Sequence, residues 1–272
     1  MGYFKYCGES GLLVLKNHQL KVTPPNEFND PFEFSPVVCN PNPKEYAEKT
    51  VRKVITEPTF FEANRLAFSH LKNFQEFQTF ARANIALMVN MLEADTPKLD
   101  KTLDILNTLS ETSGVVCFSS DPLHPLMWAH YAEAHRGVVI EFDETADLFN
   151  SIAFLKVDYN AFRVGYNPDG TDQRQMVELF VKRKSKHWEY EQEFRLLVEL
   201  STTHKQVTGG KTMFLMDVEP AAIKSVTLGL RATGATRSEV LALSDNTPLK
   251  HLQIFEIQLH DTEFSFQRKR IK

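Results

Sequence analysis

Between Gly11 and Gly114 the chain contains no glycine, and from about Pro43 to Glu111 its apolar residues return at helical spacing. Leu71, Phe74, Phe77 and Ala81 fall on one stripe, Phe80 widens it, and Gln75, Glu76 and Gln78 supply a polar side. A run with that period and no backbone breaker folds as amphipathic helices, each of which must bury its stripe. The segment predicts three or four helices, an insertion over about residues 43–112, with the phenylalanines as core.

The rest of the chain follows a shorter period. GVVCFS, GVVIEFD, AFLKVDYN, TMFLMDV, IKSVTLGL and HLQIFEIQL are short β-branched and aromatic runs, the pattern of buried or half-buried strands. YFKYC opens the chain as a strand, ESGLLVLKN follows as a short helix, and PPNEFNDPFEF is rich in turn residues. PLMWAHYAEAH reads as one helix of about three turns capped by Ser120 or Asp121, and a polar helix is expected around Asp172–Lys186. The second half of EYEQEFRLLVEL must be a strand. The sum is α+β: one domain over residues 1–272, a mixed β-sheet core carrying the helical insertion.

Composition narrows the function classes. With 35 acidic against 31 basic side chains the net charge is −4, so no global basic field points to nucleic acid. Cys7, Cys39 and Cys117 are odd in number and widely spaced, which argues against a disulfide framework and for a reducing compartment. No apolar stretch approaches the roughly 18 residues a membrane span requires, and no signal peptide opens the chain. The expectation is a cytoplasmic protein with no membrane partner; its oligomeric state is open.

Candidate chemistry concentrates in three places. On a strand, Glu191, Glu193 and Arg195 would share one face, and two carboxylates with a guanidinium on an inner strand must be paired or used. The alternative is an exposed face with a simple Glu–Arg pair. In CFSSDPLHPLMWAHY, Ser119 and Ser120 close a strand and open a helix, where they cap it or meet a ligand, while His130 and Tyr131 lie on that helix. In FNDPFE, Asn29 and Asp30 precede a proline, so an Asx-turn or a pocket edge is expected, with Asp30 and Glu33 within reach of a pocket. A thiol nucleophile at Cys117 with His130 as base is a weaker possibility, because a cysteine inside an apolar strand is usually inert. His124, His130 and His135 miss the i, i+4 spacing of helical zinc ligands and no Cys-x-x-Cys occurs, so no metal is expected. Glycine-rich phosphate loops and hydrolase elbows are missing as well.

The blocks FNDPFE, CFS, MWAHYAEAHRGVVIEF, WEYEQEFR and LGLR resemble a bacterial family catalogued as a domain of unknown function, over Tyr3 to about Arg231. A second resemblance is to ADP-ribosyltransferases of the arginine–serine–glutamate type, which have a basic residue on the first strand, a strand ending in a serine motif, and a late Glu-x-Glu. Lys5, Ser119–Ser120 and Glu191–Gln192–Glu193 occupy those places in order, although Lys5 stands where Arg is usual and the serine motif lacks its threonine. That resemblance implies an ADP-ribosyltransferase-like fold and NAD as substrate. Glu193 would stabilise an oxocarbenium-like transition state, Glu191 would steer the acceptor, Tyr131 would stack on nicotinamide and His130 would bond the ribose. The acceptor would be a nucleic acid or a protein, and the biological setting a toxin or phage-defence effector. Two other readings stay open: a non-enzymatic module binding a nucleotide or peptide, and a metal-dependent hydrolase or nuclease built on Glu191, Glu193 and Asp30.

Overall fold

In the computed structural model, which describes residues 2–35, 37–38, 43–94, 107–150, 153–163, 165–166, 180–246 and 248–272, the short apolar runs are strands and the glycine-free run is helical. Chain order gives β1 Gly2–Cys7, β2 Gln19–Val22, β3 Val37–Val38, β4 Ser113–Ser119, β5 Val138–Asp143, β6 Phe154–Lys156, β7 Asp158–Asn160 and β8 Gly165–Tyr166. There follow β9 Arg183–Ser185, β10 Glu193–Glu199, β11 His204–Thr208, β12 Lys211–Asp217, β13 Ile223–Leu228, β14 Gln253–Leu259 and β15 Phe266–Arg270. Contacts divide the chain into two units: Met1–Ser35, Thr108–Arg163 and Val177–Lys272 form the first, Pro36–Asn107 and Val164–Met176 the second.

The second unit is the helical segment. Helices Pro43–Val54, Pro58–Ala63, Phe74–Ala83 and Ile85–Ala94 enclose a core of their own. Phe77 and Ala81 are wholly buried in it, and Leu71, Phe74 and Phe80 pack at its margin, so the stripe read from the sequence is the face these helices bury. Asn73 caps the third helix by accepting from the Glu76 amide, while the Glu76 carboxylate accepts from the Lys72 amide. No helix among the described residues is long and apolar enough to cross a membrane.

The first unit is built on an eight-stranded mixed sheet in the order β15-β14-β13-β5-β1-β4-β10-β6. All neighbours run antiparallel except β13 and β14, which are parallel and joined through the helix Gly234–Asp245. Alternation sorts side chains between two cores. Val138, Ile140 and Phe142 of β5 enter the larger, with Phe118 and Leu196, whereas Val139 faces the smaller, formed with Phe4, Tyr6, Met127 and Trp128. The ladder is uneven at its centre. β1 pairs with β5 at six positions but with β4 only at Phe4 and Ser119. Beyond that point the Cys117 carbonyl accepts from the Lys5 ammonium at 3.1 Å, a side chain standing where the ladder gives out.

Several local expectations are corrected. The helix after β4 spans only Pro125–Tyr131, and its N-cap is His124, not Ser120 or Asp121. It stops because Glu133, Ala134 and His135 all take left-handed backbone angles (φ 51, 50 and 70°), turning the chain into β5. Gly137 then passes so close to β1 that a Cβ would lie 2.0 Å from the Cys7 carbonyl oxygen. AFLKVDYN breaks at Val157 into β6 and β7, which pair with different strands. The polar helix expected over Asp172–Lys186 falls partly outside the described residues; within them, residues 180–182 are helical and Arg183–Ser185 is β9, paired in parallel with β7.

Candidate functional site

Arg195 sits in the middle of β10, opposite Cys117 of β4 and Leu155 of β6, with no solvent exposure. A guanidinium there is costly unless its donors are met and its charge paired. Both conditions hold. Its Nε donates to Glu193 Oε1 at 2.8 Å, Nη1 to the Val181 carbonyl at 2.7 Å, and Nη2 to Glu193 Oε2 at 3.0 Å and to Glu33. The rings of Phe28 and Phe34 stand 5.5 and 5.4 Å from the guanidinium carbon, within cation–π range. The stretch FNDPFEF thus delivers one carboxylate and two rings to a buried cation.

Lys184 on β9 supplies the second cation. Its ammonium lies 2.5 Å from Glu191, 3.0 Å from Glu193 and 2.9 Å from Glu33, all of them buried. Glu191 reaches this point from the end of the 3-10 helix Lys186–Glu191 rather than from β10. Gln192, left-handed at φ 45°, turns the chain between the two glutamates, so the shared strand face expected for Glu191, Glu193 and Arg195 holds only for the last two. Ser120 pins that turn, its hydroxyl donating to Gln192 Oε1 at 2.9 Å.

Three carboxylates face two cations, and the surplus settles on Glu191. Burial pushes Glu33 above the usual carboxylate range against the pull of Arg195 and Lys184. Burial also opposes charge on Glu193, but Arg195 and Lys184 outweigh it and hold its carboxyl far below that range. Burial lifts Glu191 to about 7; Lys184 draws it down and Glu193 repels it upward. The Tyr131 hydroxyl donates to Glu191 Oε1 at 2.6 Å, and the side chain of Asn29 bonds Tyr131 in turn. Tyr159, the partner of Lys184 across β7 and β9, accepts from the Glu193 amide at 2.8 Å.

This cluster forms one wall of a cavity of about 120 Å³ lined by Phe4, Lys5, Tyr6, Phe28, Asn29, Cys117, Phe118, Ser119, Met127, Tyr131, Lys184, Glu191 and Glu193. Of the residues singled out in the sequence, Lys5, Asn29, Ser119, Tyr131, Glu191 and Glu193 meet there. Arg195 backs the wall from inside. Ser120 and Asp30 do not line it: Asp30 Oδ1 accepts from the Phe32 amide in an Asx-turn. His130 is exposed and also outside the lining, correcting the expectation that it shares the space of Glu193. Ser119 is present but occupied, donating to the Glu191 carbonyl at 2.6 Å and accepting from the Asp121 amide. The Cys117 thiol is pushed well up, chiefly by burial and then by Glu193, so it lacks the thiolate that nucleophilic attack requires.

Lys184 and Tyr159 escaped sequence reasoning, because β7 and β9 bring them in by long-range pairing. Among the described residues no three His, Cys, Asp or Glu side chains are arranged to hold a metal ion. The ammonium of Lys184 occupies the point where a divalent ion would meet Glu33, Glu191 and Glu193, so these carboxylates do not fit one.

Residues 127–196 match the model of a family described as Protein of unknown function (DUF2971), a segment holding Tyr131, Lys184, Glu191, Glu193 and Arg195. No curated protein and no solved structure matches the chain.

Proposed function

We propose that the chain cleaves the nicotinamide–ribose bond of NAD and passes the ribosyl group to an acceptor, with Glu191 as the carboxylate that meets the developing positive charge. The observation carrying this reading is the pairing of opposite characters in one cavity. Lys5 presents an ammonium with no carboxylate partner among the described residues, and Glu191 is the third carboxylate on two cations. Phe4, Tyr6, Phe28 and Tyr131 line the space with them. NAD has a pyrophosphate for the ammonium, a flat cationic ring for the aromatic side chains, and a reacting carbon that gains positive charge as its bond breaks.

The role assigned by resemblance to Glu193 moves to Glu191 in this reading. Glu193 is neutralised on both oxygens by Arg195 and Lys184. A carboxylate so paired has little field left for a substrate, and its work is to hold Lys184 in place. In the step itself the bond between ribose C1′ and the nicotinamide nitrogen breaks, its electron pair neutralising the ring. The oxygen of water or of an acceptor group adds to C1′ and loses a proton. Glu191, lifted to about 7, is suited to accept that proton near neutrality.

Purified protein incubated with NAD, with free nicotinamide followed by mass spectrometry, tests the reading beside a Glu191→Gln control. Release by the native chain that the variant loses supports it. NAD binding without release, in the presence of candidate protein and nucleic-acid acceptors, makes the cavity that of a non-enzymatic nucleotide module. Release abolished by a chelator would revive the metal-dependent alternative.

A further inference from the structure

Outside the cavity a group of aromatic rings remains that the proposed chemistry does not use. Tyr190 is its hub. The His124 ring lies nearly parallel to it at 5.2 Å and 20°, Trp188 stands 6.1 Å away, and His130 stands 6.4 Å away. None of these four rings lines the cavity, yet Tyr190 directly precedes Glu191 and His130 directly precedes Tyr131, so the group adjoins the site's wall. Core aromatics are normally buried on all sides; here His124, Trp188 and Tyr190 are half-buried and His130 is exposed. Lys186, also exposed, precedes Trp188 on the same 3-10 helix and sets an ammonium beside the rings, with the Glu189 carboxylate following Trp188 in the chain. The Lys184 ammonium backs Trp188 at 5.3 Å from its ring.

We infer that His124, Trp188 and Tyr190 form a stacking ledge for a nucleobase. Half-exposed flat rings are what an unpaired base stacks on, because every base has a π-face and stacking asks for no particular hydrogen-bond code; His124 and Tyr190 are near parallel, and Trp188 is tilted 42° from Tyr190. The exposed Lys186 ammonium beside them suits a phosphate attached to that base. Two sources share this chemistry: a base of a single-stranded nucleic acid serving as acceptor, and the adenine of a dinucleotide whose other end enters the cavity. The placement beside Glu191 gives the ledge its meaning through the NAD reading, but base binding is measurable without turnover.

Trp188 is itself the reporter. The chain has only two tryptophans, and the other, Trp128, is wholly buried. Native protein is titrated with a fluorescein-labelled single-stranded 12-mer, followed by anisotropy, and with AMP and NAD, each followed by tryptophan quenching. The expected result is quenching of Trp188 and a loss of affinity of about tenfold in Tyr190→Ala, the scale of one stacked base. Trp188→Phe, which keeps a ring but removes the reporter, should lose the quenching by AMP and NAD, which assigns that signal to Trp188. Binding of the 12-mer at concentrations where AMP and NAD have no effect assigns the ledge to an acceptor strand; quenching by AMP and NAD assigns it to adenine. No anisotropy change with the 12-mer together with no quenching by AMP or NAD, or binding untouched in a folded Tyr190→Ala, overturns the ledge. Nicotinamide release that persists in that case leaves the NAD reading standing, and a ledge that binds bases without any release leaves only the ledge.

Discussion

Tyr131 and Glu191 lie 60 residues apart in the chain and meet at 2.6 Å, hydroxyl to carboxylate. The bond favours the ionised form of Glu191 and so works against the burial that lifts it. Tyr131→Phe should therefore raise the Glu191 pKa above about 7, narrow the pH range in which the carboxylate is charged, and cost about 1 kcal/mol of stability. A pH series of nicotinamide release, with its acidic-side midpoint compared between native chain and variant, checks the direction. An unshifted or lowered midpoint removes Tyr131 from the control of Glu191.

The same carboxylate sets a pH dependence of stability. Glu191 titrates near 7 in the folded chain against an ordinary value of 4.5, so between those values the folded state holds more protons than the unfolded one. Stability on this account is fullest below the unfolded value and falls as pH rises through the folded value, by about 3 kcal/mol. Glu193 runs the other way: its depressed carboxyl contributes stability above 4.5 that is lost as pH falls through its folded value. Thermal unfolding between pH 5 and 8 should show the decline in the native chain and a flatter profile in Glu191→Gln. Equal slopes would place the titration elsewhere.

Arg195 offers the largest single effect. Arg195→Met keeps much of the side-chain volume but leaves Glu193 with Lys184 alone and strips Glu33 of its stronger partner. Removing one member of a buried ion pair costs about 3–5 kcal/mol, because the charge left behind stays out of water. Urea denaturation with an unchanged slope and a lower midpoint is the expected result. A loss under 1 kcal/mol would mean that Lys184 alone can hold both glutamates.

These residues also show what a sequence can and cannot disclose. The stripe through Phe77 and Ala81 was legible because a helix writes its buried face at a fixed period, and the pairing of Glu193 with Arg195 because a strand does so at every second residue. Glu191 joins them for a reason the pattern conceals, a left-handed turn at Gln192 with no glycine to mark it. The early end of the helix at Tyr131 is hidden in the same way, since Glu133, Ala134 and His135 carry no sign of left-handed angles. Lys184 was illegible for a different cause. Its partners come from the turn after β2, the 3-10 helix before β10 and β10 itself, and only tertiary pairing gathers them.

Gln192 is where backbone and chemistry meet. Left-handed angles cost a residue with a Cβ about 1 kcal/mol, and more if it is β-branched. Gln192→Gly should relieve that strain but lose the hydrogen bond from Ser120 and add freedom to the unfolded chain, leaving stability nearly unchanged. Gln192→Val should lower it by about 1–2 kcal/mol or force the turn to open. An opened turn would move Glu191 away from Lys184 and Glu193 and toward solvent, returning its titration toward 4.5. Thermal melts of both variants together with the pH profile of Glu191 decide the matter. If Val is tolerated as well as Gly and the Glu191 titration stays near 7, the turn does not set the spacing of the two glutamates.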